Sequence, residues 1–586
     1  MTVTLTINGQ RVTAVEGSTI LEAARNAGIT IPTLCHHPDL TNVGACRICV
    51  VEVEKARNLQ TACTTPVAEG MVVHTESDEV RATRKFILEM LLTDHPNDCM
   101  TCEVNGDCEL QDLVYDYGVQ WPEHKGVRHQ WEIDPDPNPF VFIDRNKCIL
   151  CGRCIRACSE MQNRDVWNFA RRGFQTKLVA GADQFMLDAR CESCGQCVAY
   201  CPVGALFDKM SIGQGRANQV QKVRTTCSYC SVGCNFDLNV RDGRVIRVTT
   251  AADAPVNGMA TCVKGRYGYD YIHHPDRLTT PLVRARLLEG VTEKLQSGEW
   301  RIYVPARSAH REGNGKNDLT ADQSPLTPDT LIETDWETAL DLVARRFAAE
   351  KKAFEGKAFG VLTSAKCTNE ENYLNNKFAR QILGTNTIDH CARLCHASTV
   401  TGLQSSFGSG AMTNTIADLT TQSKCIFIIG SNTTEQHPVI GTKIRRAKRY
   451  LGTKLIVADP RRIDIAEYAD LYLRHKPGTD IPLLKGLMHV IIREGWHDEA
   501  FIAERTEGFD ALRSTVAKYK PEVVSQITGV PAEKIEAAAR MMAENRPGAL
   551  CYAMGITQHV TGVGNVRSCA NLQLLLHHRV ILPARL

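Results

Sequence analysis

Two stretches of the sequence repeat one arrangement of cysteines, and they decide how the rest of the chain is interpreted. The first is Cys148-Ile-Leu-Cys151-Gly-Arg-Cys154-Ile-Arg-Ala-Cys158, and the second is Cys191-Glu-Ser-Cys194-Gly-Gln-Cys197-Val-Ala-Tyr-Cys201-Pro202. This spacing binds [4Fe–4S] clusters in pairs, with the fourth cysteine of each stretch ligating the other cluster. The predicted ligands are therefore Cys148, Cys151, Cys154 and Cys201 for one cluster, and Cys191, Cys194, Cys197 and Cys158 for the other.

Two sets of metal-binding residues precede this duplication. The first set consists of Cys35, Cys46, Cys49 and Cys63. Four cysteines suit a [2Fe–2S] cluster, although the first gap is wider than in plant-type loops, and a structural zinc site is the alternative. The second set consists of His95, Cys99, Cys102 and Cys108. One imidazole with three thiolates could hold either zinc or a [4Fe–4S] cluster, and the spacing leaves both open.

A fifth set follows the duplication, so that the duplicated stretches supply the third and fourth sets. The fifth set consists of Cys227, Cys230, Cys234 and Cys262. Nineteen of the 25 cysteines, together with His95, fall into these five sets, and all of them lie before residue 263. The sequence therefore predicts one [2Fe–2S] cluster and four [4Fe–4S] clusters in the front part of the chain.

Composition limits the class of protein. A chain of 586 residues is too long for one hydrophobic core, so we expect several domains. The formal charge of +2 gives no reason to expect nucleic acid or a membrane surface as a partner. The first residues lack the basic and apolar regions of an export signal, which predicts a cytoplasmic protein. Thiols stay reduced in the cytoplasm, which favours metal ligation over disulfides.

Local patterns predict the domain organisation. A hairpin over residues 2–15 and a helix opened by Thr19 and Glu22 indicate a β-grasp domain. A helix is expected over 79–93 and a Pro/Asp-rich linker over 134–139. The predicted domains are 1–78 (β-grasp, [2Fe–2S]), 79–138 (one-His/three-Cys cluster), 139–212 (two [4Fe–4S] clusters), 220–276 ([4Fe–4S] entry domain) and 277–586 (α/β region). Buried strands at 359–363, 425–430, 454–458 and 549–553 predict a doubly wound, largely parallel sheet in the last.

These motifs resemble two protein families. The first two cysteine sets resemble the large iron–sulfur subunit of respiratory NADH dehydrogenase, in which they hold a [2Fe–2S] cluster and a histidine-ligated [4Fe–4S] cluster. Residues 227–281 resemble the entry domain of molybdopterin-dependent oxidoreductases. The segment 391–402, beginning Cys-Ala-Arg-Leu-Cys-His, together with Gly555-Ile-Thr-Gln558 and the stretch 563–568, resembles cytoplasmic, NAD-linked formate dehydrogenases.

The resemblance implies roles for particular residues. Cys395 would bind molybdenum or tungsten, His396 would take the proton, Arg567 would anchor the carboxylate of formate, and Lys264 would lie between the fifth cluster and the pterin. The implied cofactor is a bis-molybdopterin guanine dinucleotide. Loops that would hold it contribute Gly430, Asn432, Asp459, Arg461, Gly478, Asp480, Gly555 and Gln558.

Partners and alternatives also follow from the resemblance. No Gly-x-Gly-x-x-Gly motif follows a predicted strand, so NAD would bind a flavin-containing partner subunit, with a small [2Fe–2S] subunit in the same complex. One alternative is a non-catalytic electron conduit like the NADH dehydrogenase subunit. A second is another molybdopterin enzyme, such as a nitrate reductase, although many of those use an aspartate where Cys395 stands. Residues 577–586 depart from the family pattern, which predicts an incomplete catalytic region that is inactive in isolation. The sequence does not distinguish molybdenum from tungsten, and it does not identify the final electron acceptor or the oligomeric state.

Overall fold

The computed structural model describes residues 1–124, 126–304 and 326–577. It forms two compact units, one made of 1–268 with 399–586 and the other of 269–398. The predicted multidomain fold with mixed helices and sheets is confirmed. Residues 578–586, which carry most of the departure from the family pattern, lie outside the described residues. None of the helices in the described ranges combines the length and apolar character needed to cross a bilayer.

The N-terminal hairpin and helix are confirmed. Strands Thr2–Ile7 and Gln10–Val15 pair antiparallel. Helix Ile20–Asn26 begins with the predicted capping box, because the Thr19 hydroxyl accepts from the Glu22 N–H and the Glu22 carboxylate accepts from the Thr19 N–H. The five-stranded sheet has the order Gln10–Val15, Thr2–Ile7, Val72–His74, Val50–Val53 and Gln60–Thr61. Its core includes two cysteines of the first set, Cys49 and Cys63.

A long helix connects this sheet to the second cysteine set. The helix predicted over 79–93 is confirmed as Asp78–Asp94, and helix Glu109–Asp116 follows Cys108 directly. Arg84 is fully buried in the long helix and donates to the Val50 carbonyl at 2.8 Å and to the Tyr117 hydroxyl at 2.8 Å. The bond to Val50 joins the long helix to the sheet, and the bond to Tyr117 joins it to the end of helix Glu109–Asp116.

The duplicated cysteine stretches form two loop–helix units on short strands. Strand Val141–Ile143 pairs with Leu206–Asp208, and Trp167–Ala170 pairs with Lys177–Ala180. The loops lead into helices Arg153–Arg156 and Gln196–Ala199. The linker predicted over 134–139 is wrong, because Asp136 and Asn138 are buried. The Asp136 carboxylate accepts from the Met186 N–H at 2.8 Å, so the segment is packed into this domain.

The fifth cysteine set accompanies a three-stranded antiparallel sheet. Its strands are Gln221–Thr226, Asn235–Arg241 and Arg244–Thr250. Helix Val263–Tyr267 begins directly after Cys262. The set therefore lies at one end of this sheet and at the start of the helix.

The predicted doubly wound sheet is confirmed. Its four parallel strands have the spatial order Leu471–Leu473, Lys454–Ala458, Cys425–Ile429 and Gly548–Tyr552. Alternate residues of the central strand enter two hydrophobic cores, one on each face. The helices of this region are Ala397–Phe407, Ile416–Thr421, Thr433–Gln436, Pro438–Tyr450, Asp480–Arg493, Glu499–Arg505, Phe509–Val516, Pro521–Thr528, Ala532–Glu544, Met554–Thr557 and Gly562–Leu576.

The smaller unit buries few apolar side chains. Its strands are Leu282–Arg284, Arg301–Ile302, Leu331–Glu333, Val361–Thr363 and Ile388–His390, and its helices are Val291–Gln296, Trp336–Phe354, Asn369–Lys377 and Ala392–Cys395. The prediction of a buried strand of the parallel sheet at 359–363 is wrong, since strand Val361–Thr363 lies outside that sheet and Leu362 is 88% exposed. The strand pairs with one neighbour in a two-stranded sheet, which leaves its face uncovered. Trp336, Leu340 and Val343 are also exposed along one helix.

Candidate functional site

The duplicated stretches bring each fourth cysteine beside the three cysteines of the other stretch. Burial raises the pKa of the Cys151 thiol to about 12, and the neighbouring Cys201 raises it further. Burial likewise raises the pKa of the Cys158 thiol to about 12, and there the neighbouring thiol is Cys191. The predicted exchange of ligands requires this proximity. Thiols held protonated by burial would release their protons when iron binds.

The four cysteines of the first set form two close pairs. The backbone N–H groups of Cys35 and Cys46 each donate to the other's sulfur at 3.4 Å. The hydrogen bond from the Cys46 thiol lowers the pKa of Cys35 to about 5. Cys49 and Cys63 form a second hydrogen-bonded pair. Two pairs of sulfur ligands suit a cluster of two irons, each bound by two cysteines.

The second set combines its cysteines with a buried imidazole. Cys99 and Cys102 are close enough to raise the pKa of Cys108, although burial is the larger cause. His95 is buried, and burial lowers its pKa. A neutral imidazole at physiological pH is the form that binds metal. Its Nδ1 atom accepts from the backbone N–H of Asn97 at 3.3 Å.

The fifth set surrounds a recess. All four of its cysteines line this recess, together with the apolar side chains of Phe236 and Val439. Burial raises the pKa of Cys234 to about 12. No three His, Cys, Asp or Glu side chains in the described ranges are spaced to hold a single metal ion. A cluster of several irons joined by sulfides spreads its ligands further apart than one ion does.

The eight residues predicted to hold the pterin all lie at one edge of the parallel sheet. Gly430 and Asn432 follow strand Cys425–Ile429, Asp459 and Arg461 follow Lys454–Ala458, Gly478 and Asp480 follow Leu471–Leu473, and Gly555 and Gln558 follow Gly548–Tyr552. The strand order reverses between Cys425–Ile429 and Gly548–Tyr552. Ligands of doubly wound sheets bind in the crevice at this reversal.

Two glycines meet where the strand order reverses. The N–H of Gly555 donates to the Gly430 carbonyl at 3.1 Å, and Gly430 has a φ of +59°. A Cβ atom on Gly555 would lie 2.6 Å from the Gly430 Cα. Both positions therefore require glycine for the two loops to approach each other.

Unpaired polar atoms beside these glycines fit a polar cofactor. Asn432 Oδ1, Thr433 Oγ1 and Thr434 Oγ1 are buried, and no hydrogen bond to them is found within the described residues. Buried polar atoms normally have a partner, so an unpaired group of three indicates a missing ligand. A pterin guanine dinucleotide, which is rich in donors and acceptors, suits them. The prediction from sequence missed both threonines, although the run Ser431-Asn-Thr-Thr434 after a buried strand is a signal for such a loop.

The other predicted crevice residues differ in their surroundings. Asp459 is buried, and its carboxylate accepts from the Arg461 N–H at 2.8 Å. Asp480 is also buried and pairs with Nε2 of His475 at 3.0 Å. Arg461, Gly478 and Gln558 are exposed. The crevice thus combines fixed acidic groups with accessible side chains.

A substitution at the glycine contact tests the crevice. Gly555→Ala is expected to lower the molybdenum or tungsten content of the holoenzyme severalfold without lowering its iron, because the methyl group separates the two loops. Overpacking of this kind costs about 1–3 kcal/mol. The matched control is Gly360→Ala, whose Cβ would lie 3.8 Å from its nearest neighbour. Molybdenum, tungsten and iron would be measured in both variants. Equal molybdenum or tungsten contents would contradict the prediction.

The predicted catalytic residues lie in both units. Lys264, in the larger unit, donates through Nζ to the Glu435 carbonyl at 2.7 Å. Glu435 lies three residues after Asn432, so this contact joins the fifth set to the crevice. Arg567, also in the larger unit, is exposed and lines an open groove with Lys485.

Cys395 and His396 lie in the smaller unit, between two helices. Cys395 ends helix Ala392–Cys395, and Ala397–Phe407 begins two residues later. Burial raises the pKa of Cys395, and the Cys391 thiol adds to the effect. Burial lowers the pKa of His396, which favours the neutral imidazole.

Five family models match the chain in succession. They are a 2Fe-2S iron-sulfur cluster binding domain over 1–78, an NADH-ubiquinone oxidoreductase-G iron-sulfur binding region over 84–122, an NADH-quinone oxidoreductase subunit 3 ferredoxin-like domain over 138–207, a molybdopterin oxidoreductase Fe4S4 domain over 220–274 and a molybdopterin oxidoreductase over 277–579. The last model covers just over half of the chain. Together the models indicate [2Fe–2S], [4Fe–4S] and molybdopterin cofactors.

The chain is also similar to two longer bacterial proteins. "Probable oxidoreductase YjgC" of Bacillus subtilis strain 168 is 30% identical across 98% of this chain and 57% of its own length. "Putative formate dehydrogenase SAB2186c" of Staphylococcus aureus strain bovine RF122 is 29% identical across 97% and 57%. The chain therefore spans just over half the length of these relatives.

Two solved structures are similar to parts of the chain. An NAD+-reducing [NiFe]-hydrogenase matches 36% of this chain and 90% of its own at 35% identity, with a TM-score of 0.33. Acetylene hydratase from Pelobacter acetylenicus matches 61% of this chain and 44% of its own at 22% identity, with a TM-score of 0.48.

Proposed function

Because the chain belongs to the molybdopterin oxidoreductase family, we propose that it is the catalytic subunit of a formate dehydrogenase. It would oxidise formate to carbon dioxide and pass the electrons through its iron–sulfur clusters. The observation that carries this proposal is the Lys264–Glu435 contact, which joins the fifth cysteine set to the crevice of the parallel sheet. The choice of formate rests on the segment around Cys395 and His396, on Arg567 and on the name of the Staphylococcus aureus relative.

The proposed residues match the chemistry of formate. Oxidation removes two electrons and one proton from a small carboxylate. When bound, the molybdenum or tungsten pterin supplies the two-electron acceptor. Cys395 would hold the metal through its thiolate, His396 would accept the proton, and the planar fork of Arg567 would bind both carboxylate oxygens. Burial lowers the pKa of His396, which favours the neutral ring that can accept a proton.

Contacts join the fifth, fourth, third and second cysteine sets in one series. Clusters, when bound, supply one-electron carriers. The Thr261 hydroxyl, next to the fifth set, donates to the Cys194 carbonyl at 3.1 Å. In the duplicated stretches, Cys201 lies beside Cys151 and Cys158 lies beside Cys191. The Glu109 N–H, next to the second set, donates to the Pro202 carbonyl at 3.1 Å, next to Cys201. We propose that electrons follow these contacts from the crevice towards the N-terminal sets.

The proposed partners receive those electrons. The chain carries no Gly-x-Gly-x-x-Gly motif after a strand, so a flavin- and NAD-binding subunit would complete the reaction, together with a small [2Fe–2S] subunit. The first two cysteine sets are the proposed exit. The second set is the furthest from the crevice in this series of contacts, and the first set precedes it in the chain. Copurification of such subunits is the expected observation.

Metal analysis combined with an activity assay tests the function. The holoenzyme, which is this chain assembled with its proposed partner subunits, would be isolated anaerobically. Its iron, molybdenum and tungsten would be measured beside formate-dependent reduction of a viologen dye. We expect high iron, about one pterin metal and turnover with formate but not with nitrate. High iron without molybdenum or tungsten would support the electron-conduit alternative. Pterin metal without formate turnover would indicate a different substrate.

The iron content is a separate prediction. One [2Fe–2S] cluster and four [4Fe–4S] clusters give about 18 iron atoms per chain. Anaerobically reconstituted protein is expected to reach this value in a colorimetric iron assay, with less than one zinc. Zinc in about stoichiometric amount, with a matching shortfall of iron, would show that the first or second set is a zinc site. The variant His95→Cys tests the second set separately. It should retain its iron but lower the reduction potential of the second cluster.

A further inference from the structure

One buried arginine contacts the loops of two different cysteine sets. The Arg156 guanidinium donates to the Cys35 carbonyl at 2.5 Å, to the Cys151 carbonyl at 3.1 Å and to the Thr41 carbonyl at 2.6 Å. Cys35 belongs to the first set and Cys151 to the third. Arg156 is 8% exposed and lies on the short helix between Cys154 and Cys158.

The partners of this arginine leave its charge uncompensated. All of its hydrogen bonds in the described part of the chain go to backbone carbonyls, and none of the ion pairs there includes it. Burying a cation without an anion is strongly unfavourable. The neighbouring Arg153 shows the usual solution, because it forms a bidentate pair with Glu109 at 2.6 and 2.8 Å. The charge of Arg156 therefore requires a different anion.

The two sets it touches would supply that anion. An iron–sulfur cluster with four thiolate ligands carries net negative charge, and that charge grows by one when the cluster is reduced. The paired sulfurs of the first set and the thiols of the third set fit such clusters. A buried cation beside a cluster stabilises its reduced state, because the attraction acts across a region of low dielectric.

We infer that Arg156 is a positioning residue that ties the first and third cluster sites together and raises the reduction potential of the cluster in the first set. The three carbonyl contacts hold the two cysteine loops in one arrangement, and the charge favours the electron's arrival at the first site. This inference rests on the cluster sites and does not depend on formate as the substrate. A failure of the proposed activity would leave it intact.

Redox titration followed by electron paramagnetic resonance tests the inference. In the anaerobic holoenzyme, Arg156→Gln is expected to lower the equilibrium constant for reduction of the [2Fe–2S] cluster at least tenfold, which is 59 mV for one electron. Arg156→Lys keeps the positive charge, so it should shift the reduction potential less than Arg156→Gln does. The matched control is Arg449→Gln, which removes an exposed arginine paired with Asp165 and should leave the potential unchanged.

Loading must be measured beside the potential. If Arg156→Gln retains its iron and shows the wild-type potential, the inference is overturned. If Arg156→Gln loses the signal of the first cluster, the reduction potential of Arg156→Lys decides the outcome. A wild-type potential in that lysine variant would then support the role of the charge, and a tenfold or larger fall in the reduction constant would overturn it.

Discussion

Replacing Cys395 with serine is expected to abolish formate-dependent dye reduction while the holoenzyme keeps its full iron content. Serine is nearly the same size, but its hydroxyl stays protonated at neutral pH and is a poor ligand for the soft metal that a thiolate favours. Losing groups that merely support a metal ligand lowers activity by about 10–100-fold. Losing the ligand itself should therefore lower turnover by more than about 100-fold.

A neighbouring cysteine provides the control for that prediction. Cys391 lies four residues earlier, is exposed, and accepts through sulfur from the Ala365 N–H at 3.4 Å. Cys391→Ser should keep most of the activity, since no metal-binding role is proposed for it. Iron, molybdenum and tungsten would be measured in both variants. Unchanged turnover in Cys395→Ser would show that the metal is held elsewhere or that the chain is an electron conduit.

The parallel sheet could be predicted because its strands are buried on both faces. Strands covered by helices on each side carry near-continuous apolar runs, as Cys425–Ile429 and Lys454–Ala458 do. The carboxyl ends of parallel strands share one edge, so the loops that follow them had to lie together. Gly430 and Gly555 are 125 residues apart in sequence, yet this rule places them in contact.

The predictions failed where distant contacts outweigh local composition. Residues 134–139 have the composition of a linker, but Asn138 is buried and its side chain accepts from the Val141 N–H at 3.1 Å. Residues 359–363 have the composition of a buried strand, but a face of their two-stranded sheet is open. No local pattern marks Arg156, whose carbonyl partners Thr41 and Cys35 lie 115 and 121 residues away.

The cysteine sets show the opposite case, in which spacing alone carries most of the information. Ligands of one cluster must converge, so short regular gaps report directly on the loop that holds them. The exchange of Cys158 and Cys201 requires distant parts of the chain to meet, and the duplication of the motif predicts it. Spacing does not reveal the charged groups around each set, such as the Arg153–Glu109 pair. Charge near a cluster is one of the factors that set its reduction potential.

Replacing Arg567 with lysine is expected to lower kcat/KM for formate by about tenfold to 150-fold in the holoenzyme, with iron and pterin metal retained. Lysine keeps the positive charge but cannot bind both carboxylate oxygens with a planar fork. One lost charge-assisted hydrogen bond corresponds to about 1.5–3 kcal/mol, which gives this range. Arg567 is exposed and lines an open groove, so the substitution should leave the fold unchanged.

The control and the form of the kinetic defect complete this prediction. Arg513→Lys alters another exposed arginine on the nearby helix Phe509–Val516 and should leave kinetics unchanged. A rise in KM with constant kcat would mean that Arg567 binds formate and the transition state equally, whereas a fall in kcat would mean that its bonds strengthen during the reaction. Either result supports the assignment. If Arg567→Lys matches the wild type in both parameters, another residue anchors the carboxylate, and the groove beside Lys485 has a different role.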